Sequence, residues 1–225
     1  MKSFIYKLFS VLNYLLLSKV SANNSSFILC KSKIKKTNKI IAFNSFFYKT
    51  LWNIIGERNI ITYNQTECNQ CKFIINGSDN NIEIKSGVKL SELIVFIRGN
   101  HCRVTIDDKT TYNGGRIICQ GIDNYIHIGY DCMISDHVEI WNSDTHQILD
   151  EEGNIINNSK PIKIGNHVWV GAYTKILKGV TIEDGAIVGM GSLVAKDIIE
   201  RTLNVGTPSK TIKRNISWER KFIDV

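Results

Sequence analysis

The sequence lacks the short motifs that identify most nucleotide-dependent and metal-dependent proteins. Its 225 residues contain no P-loop, no dinucleotide-binding fingerprint and no ligand set at zinc-site spacing. Cys68 and Cys71 have the C-x-x-C spacing of a zinc or redox site, but no second pair or paired histidines follow. The chain is also too long for a small disulfide scaffold. We therefore expect no metal, and we expect the cysteines to be reduced, buried thiols.

An uninterrupted apolar run of membrane-spanning length is also missing. The N-terminal stretch "MKSFIYKLFSVLNYLLLSKVSA" resembles a secretory signal superficially, but Lys7 and Asn13 interrupt it. These interruptions favour an amphipathic helix that a partner subunit holds or that lies on a membrane surface. The basic cluster "KSKIKKTNK", residues 31–39, either faces anionic lipid headgroups or forms a solvated loop. Both interpretations stay open.

Length and charge limit the partners only loosely. The chain is long enough for one well-packed domain. A net charge of +7 and a pI near 9.0 favour an anionic partner, such as nucleic acid, a phosphorylated cofactor, an acidic polysaccharide or a membrane surface. The basic C-terminal tail lacks a recognition fold and interleaved aromatic residues, so we do not expect nucleic acid.

A six-residue repeat dominates the C-terminal half. From Ile164 onward each block of six opens on isoleucine or valine and has a small or β-branched residue in its fifth place. The openers are Ile164, Val170, Ile176, Ile182, Val188 and Val194, and the fifth residues are Val168, Thr174, Val180, Ala186 and Ser192. A period of six is neither helical nor a simple strand alternation, and it is typical of a parallel β-helix. Each opener should point into the interior of a coil made of three short strands.

The repeat extends upstream less regularly. The same spacing is kept by Ile128, Ile134 and Ile140, and further back by Ile82, Val88, Ile94 and Ile106, with Asn100 as a polar exception. Its phase changes near residues 110–120, where a glycine pair indicates a widened turn. The sequence therefore predicts an all-β solenoid over residues 70–205. A helical or irregular segment, residues 1–69, should precede it, and a basic tail, residues 206–225, should follow.

One long interruption separates Ile140 from Ile164. The intervening "WNSDTHQILDEEGNIINNSKP", residues 141–161, is polar and acidic and closes at Pro161. This composition predicts a loop that leaves the coil. Functional residues are often located on loops that a rigid scaffold positions.

These stretches resemble the left-handed β-helix acyltransferases, the hexapeptide-repeat family that includes galactoside, maltose and serine acetyltransferases. The resemblance is carried by "KPIKIGNHVWVGAYTKILKGVTIEDGAIVGMGSLVAKDI" and "VGTPSKTIKR". Within the family, "WNSDTHQI", "IGNHVW" and "NISWERK" are most similar to the capsular polysaccharide O-acetyltransferases of the polysialic acid type. The resemblance also implies left-handed coiling and a homotrimer with active sites between neighbouring subunits.

The activity that the resemblance implies is acetyl-CoA-dependent O-acetylation of a bacterial capsular or other surface polysaccharide. The reaction would take place in the cytoplasm, either free or peripherally at the inner membrane. Two alternatives stay open at this stage. One is N-acetylation of an amino sugar nucleotide on the same scaffold. The other is a non-catalytic β-helix that binds polysaccharide.

Transfer of an acetyl group to a hydroxyl requires a general base, for which histidine is best suited near neutral pH. His146 lies in the loop and matches the family's catalytic position, although Gln147 replaces the proline that usually follows. Trp169 should point outward and matches a catalytic or cofactor-positioning residue; the alternative is packing against a neighbouring subunit. Asn142 and Asp144 are the candidate acceptor contacts. Asp144 is also a candidate for orienting the imidazole, although an aspartate in a loop more commonly caps it.

The cofactor contacts are also implied by the resemblance. Ala172 and Met190 match positions whose backbone N–H groups meet acetyl-CoA, and Gly171 leaves room for a thin pantetheine arm. Three lysines match the basic positions that meet the phosphates, Lys196, Lys210 and Lys213. Lysine presents a point charge where the family often has arginine, so phosphate binding should be sensitive to salt. Arg214 is either a further phosphate contact or a solvated residue.

Overall fold

The chain forms a parallel β-solenoid of about eight turns. The computed structural model describes residues 20–35 and 37–223, and within these ranges it contains strands and turns but no helix. Successive strands enter three sheets in rotation, which we name A, B and C. The predicted all-β solenoid is therefore confirmed. The proposed N-terminal amphipathic helix falls mainly on residues 1–19, which lie outside the described residues.

Each sheet is built from every third strand of the coil. Sheet A contains β1 (Val20–Asn23), β4 (Lys39–Phe43), β7 (Ile60–Asn64), β10 (Asn81–Ile84), β13 (Arg103–Ile106), β16 (Tyr125–Ile128), β19 (Ile162–Ile164) and β22 (Thr181–Ile182). Sheet B contains β2 (Ser26–Ile28), β5 (Phe46–Tyr48), β8 (Glu67–Asn69), β11 (Lys89–Ser91), β14 (Thr111–Tyr112), β17 (Met133–Ile134), β20 (Trp169–Val170), β23 (Ile187–Val188), β25 (Thr202–Val205) and β26 (Lys210–Arg214). Sheet C contains β3 (Lys31–Ile34), β6 (Leu51–Ile55), β9 (Lys72–Asn76), β12 (Leu93–Asn100), β15 (Gly115–Ile122), β18 (Val138–Trp141), β21 (Lys175–Ile176) and β24 (Leu193–Val194). The strands pair in parallel, except that β26 runs antiparallel to β25.

The C-terminal coils follow the six-residue repeat as predicted. Every predicted opener from Ile164 to Val194 is fully buried, and the fifth residues are at most 2% exposed. A coil here takes 18 residues, as the hydrogen bond from Asn166 N–H to Asp184 Oδ1 shows. Three hexapeptides therefore complete one turn, and each supplies one strand.

The upstream coils are longer, and this explains why the six-residue pattern fades there. Hydrogen bonds between equivalent positions span 21 residues at Asn38–Asn59 and 22 residues at Ser78–Asn100. Along their longer strands, side chains point alternately inward and outward, so β12 buries Leu93, Val95 and Ile97. Ile94, predicted to point inward, is only half-buried because it lies on the opposite face of that strand. Asn100, the polar exception, is exposed at the end of the strand.

The solenoid boundary predicted at residue 70 is wrong within the described residues. Strands β1 to β8 already belong to the three sheets, and β3 places Lys31 and Lys33 on a strand, not in a loop. The interior of these first coils is filled by a cluster of aromatic residues, Phe27, Phe47, Trp52, Tyr63 and Phe73. Large rings need a wider coil than valine and isoleucine do, so the first coils carry no six-residue pattern.

The glycine pair predicted at the phase change lies at a sheet-B-to-sheet-C turn. Gly115 has a φ of 120°, and a Cβ placed there would come within 1.9 Å of the carbonyl oxygen of Val138 in the next coil. Only glycine permits this approach of two backbones.

The predicted thiols are confirmed as free and buried at Cys30, Cys68, Cys71, Cys102, Cys119 and Cys132. The described residues include no helix long and apolar enough to cross a membrane.

A buried asparagine ladder fixes one corner of the upstream coils. The Asn59 side chain accepts hydrogen bonds from the backbone N–H and the amide group of Asn80, at 3.0 and 2.9 Å. It donates in turn to Asn38 Oδ1 at 2.9 Å and to the carbonyl of Gly77 at 2.8 Å. Each asparagine thus binds the coils on both sides of it.

We expect Asn59→Ala to destabilise the protein, because it leaves buried donors and acceptors of Asn38, Asn80 and Gly77 without partners. An unsatisfied buried polar group costs about 1–3 kcal/mol, so the free energy of unfolding should fall by roughly that amount or more. Urea unfolding followed by circular dichroism measures the change. The control is Asn113→Ala, which removes an exposed side chain. Equal midpoints for the two variants would contradict the ladder's role.

Candidate active site

The long loop leaves the solenoid between β18 and β19 and covers residues 142–161. Asn142 begins it with a fully buried side chain, whose oxygen accepts from Gln120 N–H at 2.7 Å and whose amide donates to the Gln120 carbonyl at 3.1 Å. The backbone carbonyl of Asn142 also accepts from Lys160 N–H at 3.0 Å, which closes the base of the loop. Asn142 is therefore a structural residue and not the acceptor contact predicted, because its polar atoms are already used in the interior.

Asp144 holds the loop against the solenoid. Lys178, on the turn between sheets C and A, donates to Asp144 Oδ2 and, at 2.9 Å, to the carbonyl of Asn157. Asn157 donates to Asp144 Oδ2 at 2.9 Å and to the His146 carbonyl at 2.8 Å. The Lys178 ammonium and the Asn157 amide hold the pKa of the Asp144 carboxyl below its usual value. The structure thus gives Asp144 the anchoring role that the sequence left open.

His146 is exposed near the start of this anchored loop. Its backbone is fixed on both sides, since its N–H donates to the Asp144 carbonyl at 2.8 Å and its carbonyl accepts from Asn157. Among the described residues, no hydrogen bond or ion pair uses its imidazole ring. The chain therefore presents a positioned imidazole with both nitrogens available.

A second group of predicted residues lies on sheet B and on the turn that leads from it to sheet C. Trp169 opens β20 with 37% of its surface exposed, and Ala172 and Met190 follow on equivalent turns of adjacent coils. No hydrogen bond of the described residues uses the N–H of Ala172 or Met190. A Cβ placed on Gly171 would come within 2.6 Å of Met190 N, so only glycine permits this close approach of the two coils.

The predicted basic residues lie at the C-terminal end of the solenoid. Lys196 follows β24, and Lys210 and Lys213 lie on β26; all three are exposed. None of the ion pairs among the described residues involves them. Arg214, at the end of β26, is exposed as well. Several uncompensated cations thus share one end of the molecule.

The two halves of the predicted site lie on different edges of the same prism. The hydrogen bonds of the described residues attach the His146 loop to sheet C and to the C-to-A edge, through Asn142, Lys178 and Ser159. Ser159 accepts from Asn124 at 2.9 Å. Ala172 and Met190 lie on the B-to-C edge. The chain therefore brings Trp169, Ala172 and Met190 onto one side and leaves His146 on another.

The structure adds an aromatic pair on the B-to-C edge that is not among the predicted site residues. His137 and Tyr173 stack on the B-to-C edge, with ring centroids 4.7 Å apart and planes inclined by 17°. Tyr173 directly follows Ala172 and is 57% exposed. Both residues have positive φ, at 56° and 60°, because they occupy the same corner of neighbouring coils. The sequence repeat indicates this pairing, because each residue directly follows the turn position that Ala172 occupies in its own coil.

The C-terminal residues Ile216–Phe222, which we name the strap, return to the solenoid near Trp169. The Trp218 ring stacks on that of His167, with centroids 4.1 Å apart and planes inclined by 8°. Arg220 donates to Asp131 Oδ1 at 2.8 Å and to the Cys132 carbonyl at 2.8 Å. The predicted tail is therefore not free: its first part forms β26 and the strap is docked. These contacts span up to 111 residues of sequence, so no local pattern indicates them.

His127 lies beside a carboxylate in a surface groove of sheet A. His127 Nε2 lies 2.9 Å from Asp107 Oδ2 on the outer face of sheet A, beside Arg103, Tyr125 and Lys163. Partial burial raises the pKa of Asp107, but hydrogen bonds from Lys85 and His127 outweigh it, so the pKa lies below its usual value. His127 sits on a flat strand, and its Nε2 is already engaged by Asp107, whereas both ring nitrogens of His146 are available. It is therefore a less suitable base than the loop histidine.

Loss of the Lys178 contact should release the loop. Because the Asp144 pKa is lowered, this anchoring is present above the carboxyl's usual pKa of about 3.9 and is lost as the pH falls through the lowered value. We expect Lys178→Met to speed amide exchange in residues 142–161 at neutral pH, whereas the wild type should show this only in acid. Hydrogen exchange with mass spectrometry measures the effect. Lys175→Met, which removes an exposed neighbour, is the control; equal exchange in both variants would disprove the anchor.

Comparison with known proteins places these features in a family. The model for the bacterial transferase hexapeptide, six repeats, matches residues 161–196. The chain is 34% identical over 189 residues to the polysialic acid O-acetyltransferase of Neisseria meningitidis, covering 81% of this chain and 85% of that protein. It is 36% identical over 140 residues to the polysialic acid O-acetyltransferase of Escherichia coli O1:K1, but this match covers 62% of the chain and only 45% of the relative's length.

The fold agrees over nearly the whole described chain. The crystal structure of the polysialic acid O-acetyltransferase OatWY superposes with a TM-score of 0.75 at 29% identity, covering 91% of this chain and 92% of that one. The meningococcal relative is matched over most of its length at more than 30% identity. The chain therefore belongs to the hexapeptide-repeat acetyltransferase family.

Proposed function

We propose that the protein transfers an acetyl group from acetyl-CoA to hydroxyl groups of an acidic capsular polysaccharide of the polysialic acid kind. The observation that carries this proposal is the combination of two features of one chain. One is an exposed imidazole on an anchored loop; the other is a turn with unbonded N–H groups next to an exposed tryptophan. These are the base, the oxyanion donor and the contact surface that acyl transfer requires.

The turn between sheets B and C suits the arm of acetyl-CoA. The unbonded N–H groups of Ala172 and Met190 are donors for amide and thioester oxygens, and the missing Cβ of Gly171 lets these two turns lie close together. The exposed lysines at positions 196, 210 and 213 lie toward the C-terminal end of the coils, where the phosphates would then be. Unpaired ammonium groups bind phosphate as point charges, so binding should weaken with salt.

His146 would remove the proton from the acceptor hydroxyl as the oxygen attacks the thioester carbonyl carbon. The carbonyl oxygen then gains negative charge, which the Ala172 N–H stabilises. The C–S bond breaks, the proton passes from His146 to the leaving sulfur, and the sugar ester forms. Trp169 would contact the thioester end. We expect direct transfer without a covalent acyl-enzyme, because no serine or cysteine of the described residues lies in an activated arrangement beside His146.

The acceptor assignment rests on the relatives and on charge. Two relatives that are named as polysialic acid O-acetyltransferases match the chain. One of these matches covers 81% of this chain and therefore includes upstream coils. The net charge of +7 suits an acidic polymer. Asp144 would contribute chiefly by holding the loop, and direct contact with the acceptor stays a prediction. The use of acetyl-CoA implies a reaction in the cytoplasm, and membrane contact through the N-terminal residues stays a prediction as well.

A complete site requires a second copy of the chain. His146 and Ala172 lie on different edges of the solenoid, and the loop's contacts keep it on its own edge. Two copies packed side by side bring the loop of one to the B-to-C edge of the other. We therefore propose a homotrimer with three equivalent sites, as the family resemblance implies.

His146→Ala should abolish acetyl transfer, because the loss of a general base typically costs about 10²–10⁴-fold in rate. Released thiol is measured with acetyl-CoA and either polysialic acid or a neutral capsular polysaccharide. Acetyl-CoA binding, measured by calorimetry, should be retained. The matched control is His101→Ala, which removes an exposed histidine on an upstream turn outside the loop and should transfer normally.

Three results would change this assignment. Equal turnover in His146→Ala and the wild type would remove His146 from the mechanism. Transfer only to an amino sugar nucleotide would replace O-acetylation by N-acetylation. Absence of acetyl-CoA binding by the wild type would favour a non-catalytic polysaccharide-binding protein.

Mixed oligomers test whether the site lies between subunits. His146→Ala and Trp169→Ala each remove one half of the site, so each alone should keep only a small residual rate of transfer. When the two variants are unfolded together and refolded, some interfaces combine two intact halves, and activity should reappear. Refolding each variant separately is the control. If the mixture stays inactive while refolded wild type recovers, the two halves belong to the same chain.

A further inference from the structure

The strap is fixed to the solenoid by contacts that are unusually specific for a chain end. Trp218 is only 7% exposed, and its indole N–H donates to the His167 carbonyl at 2.8 Å. The His167 ring contacts oxygen atoms through both nitrogens, the Trp218 carbonyl at 3.0 Å and Asp131 Oδ2 at 2.8 Å. The imidazole therefore cannot rotate without losing both contacts.

Asp131 joins this pair to Arg220. Its second carboxylate oxygen accepts from Arg220 Nε at 2.8 Å, and the same guanidinium donates to Thr111 Oγ1 at 3.1 Å. Partial burial raises the pKa of Asp131, but the hydrogen bonds from Arg220 and His167 outweigh it, so the pKa lies below its usual value. Asp131 is thus ionised near neutral pH and keeps both partners in place.

The contacts that begin at Arg220 and Asp131 reach Trp169 through the Trp218 ring. The Trp169 and Trp218 rings lie 6.1 Å apart with planes inclined by 47°, which is within the usual range for an attractive aromatic pair. Along sheet B, Trp169 pairs with Met133 in one neighbouring coil and Ile187 in the other. Trp218 is thus the ring that restricts the orientation of the Trp169 indole on the side that faces the strap. The Trp169 indole makes no hydrogen bond within the described residues, so its orientation depends on packing.

We infer that Trp218 is a positioning residue for acetyl transfer, which acts by fixing the orientation of the Trp169 indole. The inference rests on the proposed function in one respect, namely that Trp169 contacts the reacting groups. The strap then forms part of the active centre although it lies at the end of the sequence. Its chemistry is indirect: it makes no bond to the substrates and transfers no proton.

A double-mutant cycle tests this dependence. Trp218→Ala should lower kcat by about 10²-fold, the size expected when a reacting group is displaced by about 1 Å, while KM for acetyl-CoA stays unchanged. In a Trp169→Ala background the same substitution should have little further effect, because the residue through which it acts is gone. Trp218→Phe keeps a ring on His167 and should restore most of the activity. The matched control is Phe222→Ala, which removes a strap side chain that is 91% exposed.

A purely structural role for Trp218 gives a different pattern. Loss of stability would lower the number of folded sites equally in both backgrounds, so additive effects in the cycle would overturn the inference. An unchanged kcat in Trp218→Ala would overturn it as well. If the wild type shows no transfer, the proposed function has failed, and the effect of Trp218 on the Trp169 indole is then tested independently by NMR. The Trp169 indole N–H signal, assigned by its loss in Trp169→Ala, should shift in Trp218→Ala but not in Phe222→Ala; no shift in either would overturn the inference.

Discussion

The parallel hydrogen-bond ladder between coils constrains every other feature of this protein. Each coil must return the backbone to the position directly above the previous one, or three sheets of hydrogen bonds are lost together. Sharp corners satisfy this requirement, and many of them have positive φ, at glycine or at residues such as His137 and Tyr173. The interior accepts only side chains that match the width of the coil. Aliphatic openers fill the 18-residue coils, and aromatic rings fill the longer ones upstream.

A stack of this kind is rigid, so the chemical groups are located at its edges. The His146 loop, the free N–H groups and the strap each occupy a different part of the perimeter. The solenoid cannot fold on itself to bring two edges together. In the proposed homotrimer, association with another copy would complete the site, and activity would depend on assembly. The anchoring of Asp144 by Lys178 and Asn157 suits this arrangement, because a loop that would face a neighbour must hold its shape alone.

Much of the C-terminal half was predictable because its coils have one length and one interior. The openers from Ile164 to Val194, the loop and the glycine turn at Gly115 all follow from spacing. The prediction was wrong where a coil lengthens, as at Ile94, and where aromatic residues replace the repeat before residue 70. Asn142 was misassigned because a polar residue at the start of a loop gives no sign that it points inward. The docking of Trp218 on His167 connects distant residues and has no local signature.

The antiparallel strand β26 has a consequence for the solubility of the protein. A parallel solenoid ends in open strand edges, which can pair with the end of another molecule and build an indefinite filament. By reversing direction after β25, the chain covers the last parallel edge of sheet B with its own backbone. The outermost strand then carries Lys210, Lys213 and Arg214, all exposed, and like charges repel a second end of the same kind. The reversal thus disfavours growth along the axis and leaves the sides of the prism as the surfaces for the proposed assembly.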